Sequence, residues 1–164
     1  MKFVIGGQRV RNTILLSLPK NERDRVFSKL EFVSLASGAV LTAKDAPIEF
    51  VYFMNAGLAS VLTVMSNSRT AEVGLCGREG FVGLPLTVGF ATSAAKVLMQ
   101  VSGSAFRMSV RDFAVALRQC PSLAIALLRF SHEMGLQAAQ LAACNLLHES
   151  DECQRRCKNP QSAV

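Results

Sequence analysis

Residues 57–65, GLASVLTVM, alternate along the chain: Leu58, Ser60, Leu62 and Val64 fall on one side of an extended backbone, Ala59, Val61, Thr63 and Met65 on the other. A period of two predicts a β-strand, and because both sides are largely apolar it predicts burial on both. Outward from this strand, residues 32–67 and the later VLMQVSGSAFRMS at 97–109 are rich in Val, Phe and Leu. A Gly, Asn, Asp or Pro cluster interrupts them about every eight to twelve residues. That spacing predicts short antiparallel strands in a sandwich or barrel.

Helical periodicity flanks the strand-rich region. RNTILLSLPKNERDRVFSKLEFV at 11–33 sets Leu18, Val26, Phe27 and Leu30 among charged residues, which predicts one or two short amphipathic helices about the Leu18-Pro19 break, lying against a core. Beyond the strands, Ser109 and Asp112 form a start resembling a capping box, and Pro121 restarts the helix. From Leu123 to His148 there is no proline; Leu127, Met134 and Leu141 recur every seven residues, with Phe130, Gln137 and Cys144 beside them. Ala138, Ala139, Ala142 and Ala143 permit close approach of another helix. The segment therefore predicts a long helix seamed to the same helix of a second copy; the alternative is a helix packed on its own β domain. The implied organisation is an N-terminal helical segment (1–30), a strand-rich domain (31–110), C-terminal helices (111–152) and a loose basic tail (153–164).

With 164 residues, half of them hydrophobic, the chain suffices for one core. Mean hydropathy is +0.29, yet no uninterrupted apolar run approaches the roughly 18 residues a spanning helix needs. The first residues lack the apolar segment of a secretory signal, so a cytoplasmic location without membrane contact is expected. Five cysteines, an odd number, suggest reduced thiols rather than a disulfide framework. Cys153, Cys157 and His148 are too unevenly spaced for a metal site, and neither metal nor cofactor is expected. The net charge of +6 sits at the two ends: residues 1–29 hold seven basic side chains against Glu22 and Asp24, and 153–164 hold three and no acid. Neither end interleaves aromatics, and no helix-turn-helix or zinc-finger pattern occurs, so these charges read as solvated faces rather than a DNA footprint.

Four segments in order, VYFMNAGLASVL (51–62), EVGLCGREGFVGLPLTVG (72–89), GSAFRMS (103–109) and AQLAACNLLHE (139–149), resemble the effector domain of Crp/Fnr-type transcription regulators. The likeness covers roughly residues 12–149. It implies a mainly β fold with flanking helices: a double-stranded β-helix, or jelly roll, like that of cyclic-nucleotide-binding domains, followed by a long dimerisation helix. In that family a winged helix-turn-helix comes next. Here sixteen residues follow His148, too few for such a domain. The expectation is a homodimeric effector module without its own DNA reader, which could also pair with a full-length related regulator, and whose small-molecule effector is unidentified.

The same resemblance gives meaning to GREGFVGLPLTVGFATSAAKV at 77–97. In members that bind cyclic nucleotides, the matching loop supplies a glutamate for the ribose, an arginine for the cyclic phosphate, and backbone amides. Here Leu84 follows Gly83 at the glutamate position, Pro85 has no N–H, and the arginine position falls at Ser93 or Ala94. A phosphate held by this degenerate cassette of Gly83, Leu84, Pro85, Leu86, Ser93 and Ala94 would be desolvated without compensation, so no tight cyclic-nucleotide binding is expected. A shifted alignment would bring up Lys96, a point charge rather than a fork. Arg78 and Glu79 read as a solvated loop pair. Phe81, Leu84, Leu86, Phe90 and Met99 could line an apolar cavity for an uncharged molecule, or simply fill the barrel.

Catalytic patterns are missing. His132 and His148 are the two histidines, and GxSxG, HExxH and phosphate-loop lysine motifs do not occur. His132 and Glu133 diverge by about 100 degrees on a helix, and Cys144, Asn145 and His148 lie in the presumed seam. No enzyme is expected. The alternative to a transcriptional effector module is a protein-interaction or apolar small-molecule-sensing module unconnected with transcription.

Overall fold

A computed structural model describes residues 3–65 and 69–158, with side chains as far as Cys144. The chain opens with a hairpin, β1 (Val4–Ile5) and β2 (Gln8–Arg9), turned by Gly6 and Gly7, both at positive φ. Two short helices follow, α1 (Thr13–Ser17) and α2 (Lys20–Phe27), divided at Leu18-Pro19 as the sequence predicts. Leu18, Val26 and Leu30 are buried. Asn12 caps α1: its Oδ1 accepts the Leu15 N–H, while its Nδ2 donates to the Met54 and Gly80 carbonyls at 2.9 and 2.8 Å.

The strands are β3 (Glu31–Leu35), β4 (Val40–Thr42), β5 (Phe50–Val64), β6 (Thr70–Cys76), β7 (Phe81–Val82) and β8 (Ala95–Ser109), with a 3-10 helix at Leu84–Val88. They form one antiparallel sheet in the order β3-β8-β5-β6, with β4 also on β8 and β7 also on β5. The two long strands pair from Phe50 opposite Ser109 to Thr63 opposite Ala95, and the register slips between Met54 and Ala59. At the slip Gly57 has φ +82, and a Cβ there would lie 2.6 Å from the Val101 carbonyl oxygen; a Cβ on Gly103 would collide with the Ala56 carbonyl. The bulge splits the pair into two halves, one carrying β3 and β7, the other β4 and β6.

This is the jelly-roll type of fold, with one difference from the expected barrel: among the described residues the ring of hydrogen bonds does not close. At the β6 edge a helix takes the place of another strand, because Gln137 Oε1 accepts the Leu75 N–H at 2.7 Å. Along GLASVLTVM, burial on both sides holds at Ala59 and Ser60 and fades toward Met65, which is 46% exposed.

Phe53, Phe81 and Phe113 form the centre of the core, with ring centroids 5.0 and 5.3 Å apart along the series. Helix α3 (Val110–Gln119) begins at Ser109, whose Oγ accepts the Asp112 N–H and donates to the Asp112 carboxylate at 2.9 Å. That bond, then Lys29 nearby, holds the Asp112 carboxyl below its usual range. After a bend of 108°, α4 (Pro121–Lys158) begins. Its first turn is capped from α2: the Glu22 carboxylate accepts the Ser122 N–H at 3.0 Å, the Ser122 hydroxyl at 2.9 Å and the Leu123 N–H at 3.3 Å. Among the described residues no single helix is long and apolar enough to cross a membrane.

Replacing Gly103 with Ala is expected to lower the unfolding free energy by about 2 kcal/mol or more, because backbone must move to admit the methyl group. Gly135→Ala, where nothing lies within 4 Å, is expected to stabilise the chain by about 0.5–1 kcal/mol through helix propensity alone. Urea titration of both variants measures the difference.

Candidate functional site

The C-terminal half of β5, β6, the start of the 3-10 helix and the middle of α4 line a half-open cavity of about 290 Å³. The strands contribute Val61, Val73 and Cys76, then Phe81 and Val82, then Ala95 and Val97; the helix adds Met134, Gly135 and Ala138. Gly83 turns the chain into the 3-10 helix at φ +126, and a Cβ there would lie 2.7 Å from Val51 Cγ1. Glycine is therefore required by both dihedral and space.

The wall offers little to an anion. Pro85 has no N–H, and the amides around it are engaged within the turn: Leu86 N–H donates to the Gly83 carbonyl at 3.1 Å, Gly89 N–H to Leu86, and Phe90 N–H to Pro85. Ser93, buried, is turned back on its own chain; its hydroxyl donates to the Ala95 carbonyl at 2.9 Å and accepts the Ala95 N–H at 3.2 Å. Burial, and secondarily Glu79, pushes the Cys76 thiol up to about 12, so the thiol is neutral. No charged side chain is among the described wall residues. Such a space suits an uncharged apolar molecule.

The structure sorts the sequence candidates. Gly83, Leu84, Pro85, Ser93 and Phe81 line the cavity. Leu86 packs on the core instead, and Ala94 is exposed. Phe90, 66% exposed, lies outside because the left-handed Gly89 turns the chain outward after the 3-10 helix. Met99 is fully buried but beyond the cavity, paired with the Gly38–Ala39 turn through its own N–H and carbonyl. Lys96 is not in the wall. Arg78 and Glu79 are not paired: Glu79 Oε1 accepts the Gly77 N–H at 2.8 Å, and the two residues line different clefts.

Helix α4 differs from the heptad expectation. Leu127 and Phe130 are buried in this chain's own core, the Met134 methyl reaches Gly74 and the cavity, and Gln137 holds the β6 edge. Leu141 and Cys144 are half-buried. The stripe thus faces the chain's own sheet over most of its length, and a different apolar face, with Ile125, Leu128 and Leu136 each more than half exposed, is left outward. The side chains of Asn145, His148, Cys153 and Cys157 lie outside the described residues. Among those described, no group of three His, Cys, Asp or Glu could hold a metal.

Sequence reasoning did not place Val61, Val73, Cys76, Val82, Ala95, Val97, Met134, Gly135 or Ala138 in the wall. Alternation carried a signal for Val61; nothing local placed α4 over the sheet.

No family model matches the chain, and no curated protein matches it in sequence. Solved structures do. The sensor domain of the transcriptional regulator DNR from Pseudomonas aeruginosa aligns at 17% identity over 72% of this chain and 88% of that one, with a TM-score of 0.57. The c-di-GMP responsive global regulator CLP from Xanthomonas campestris aligns at 14% over 76% and 63%, TM-score 0.66. A regulatory subunit of a cAMP-independent protein kinase A from Trypanosoma brucei aligns at 16% over 76% and 44%, TM-score 0.63. The chain thus spans most of the first and less than two thirds of the other two. At these identities the likeness shows the fold, that of the sensor domains of Crp/Fnr regulators and of cyclic-nucleotide-binding domains.

Alkylation of the native chain with iodoacetamide near pH 8.5, the ordinary thiol value of about 8.5, is expected to leave Cys76 unmodified while half-buried Cys144 reacts. Peptide mass mapping reads the outcome; adding urea should expose Cys76.

Proposed function

We propose that this chain is a sensing domain of Crp/Fnr type whose cavity receives an uncharged, apolar small molecule rather than a cyclic nucleotide, and which acts as a homodimer in the cytoplasm. The observation that carries the proposal is Ser93, closed on its own backbone where the family's guanidinium would stand. A cyclic phosphate brought there would give up its hydration and meet apolar groups, an exchange that contacts to a base offset poorly. The Trypanosoma brucei subunit, described as belonging to a cAMP-independent kinase, supports use of this fold without that messenger.

Dimerisation rests on α4. The exposed Ile125, Leu128 and Leu136 recur along one outward face, and exposed Ala139, Ala142 and Ala143 follow them. A second copy, or a full-length related regulator, would cover this surface. Since Met134, Gly135 and Ala138 face the cavity from the same helix, an occupant that moved α4 would alter the seam, and regulation would follow from that coupling. The chain does no chemistry in this account.

Calorimetry with cyclic AMP and cyclic GMP at micromolar concentration is expected to show no heat; saturable binding of either overturns the ligand assignment. The uncharged fluorophore N-phenylnaphthylamine is expected to bind with enhanced emission, and Ala138→Phe, which fills the cavity from the helix side, to abolish it. Light scattering should give twice the chain mass, and Leu128→Glu should give the monomer.

A further inference from the structure

We propose that a second site, a surface cleft between the N-terminal hairpin and α1, binds an oligophosphate, a small molecule with two or three linked phosphates. The cleft, about 440 Å³, is lined by Arg9, Val10, Arg11, Leu16 and Arg78 and shares no residue with the apolar cavity.

Its three arginines come from two distant segments of the chain, Arg9 and Arg11 from one and Arg78 from the other, and are set in place by their backbones. Asn55, buried in β5, accepts the Arg11 N–H at 2.7 Å and donates to the Arg9 carbonyl at 3.0 Å. Val10 between them is buried, so exposed Arg9 and Arg11 leave the chain on the same side. The Arg78 carbonyl accepts the Thr13 N–H at 3.1 Å, which fixes that turn against the start of α1. Glu79, the nearest acid in sequence, is engaged with Gly77 and lines the cleft on the α4 side instead.

Among the described residues none of these three guanidiniums takes part in an ion pair, a side-chain hydrogen bond or a ring contact. Other arginines are occupied: Arg23 lies 3.9 Å over the Phe3 ring, and Arg107 pairs with Glu31 at 2.9 Å and covers Phe50. Three permanent cations gathered without a counter-charge repel one another, and a bound polyanion relieves that repulsion. Each planar fork can take one phosphate in bidentate fashion. One phosphate group carries about −1.5 to −2 and leaves the cluster partly unneutralised, whereas a linked pair or triplet matches it. The cleft holds no aromatic ring on which bases of a nucleic-acid strand could stack.

The test is calorimetric titration of the 164-residue chain with sodium triphosphate, beside R9A, R11A, R78A and the control R118A, an exposed position of α3. One saturable site is expected, weakened about tenfold by each of the first three substitutions, unchanged by the fourth, and weakened by salt. Orthophosphate should bind more weakly than triphosphate. N-phenylnaphthylamine binding should survive all four substitutions, and circular dichroism should confirm that they fold. The proposal is overturned by absence of saturable binding, by an equal loss in R118A, or by a short DNA duplex that binds more tightly than triphosphate through the same three arginines.

Discussion

Two glycines pressed together across a pair of long strands set the shape of this protein. Where Gly57 meets Val101 and Gly103 meets Ala56, the β5–β8 ladder slips and bends, and no side chain larger than hydrogen fits. One side of the bend packs Phe53 and Phe106 into the core that receives α3 and the start of α4. The other side carries Val61, Ala95 and Val97 into the cavity wall. Core and cavity adjoin, sharing Cys76, Phe81, Val82 and Val97.

Helix α4 is committed by its first three turns. Glu22 caps it from α2, and Leu123, Leu127 and Phe130 sink into the core. A rigid helix leaving that anchor has little freedom farther on. It crosses β6, where Gln137 engages an edge amide, and lays Met134, Gly135 and Ala138 over the cavity. One helix therefore touches the ligand space on one face and presents Ile125, Leu128 and Leu136 to the outside on another.

Much of the local structure was legible beforehand. The alternation of residues 57–65, the break at Leu18-Pro19 and the cap at Ser109 each follow from backbone and hydrogen-bonding preferences that reach only a few residues. The absence of a charged side chain between Phe81 and Ala95 was visible in the residue types themselves. Side-chain direction was not visible. Phe90 and Met99 are as apolar as Phe81, yet one is turned to solvent by Gly89 and the other is sealed under the Gly38 turn. The heptad at Leu127, Phe130, Met134 and Gln137 identified a buried stripe but could not say what buries it.

From the amino acids alone came the strand period, the helix ends, the turn glycines and the absence of charge between Phe81 and Ala95. Tertiary structure alone decided which apolar face of α4 meets the sheet, which side chains reach the cavity, and that Arg9, Arg11 and Arg78 share a cleft. The division has a physical cause. Dihedral preference and capping act between near neighbours, whereas burial and charge clustering depend on contacts such as Asn55 to Arg9 or Glu22 to Ser122, whose partners lie 46 and 100 residues apart and meet only when the whole chain has folded.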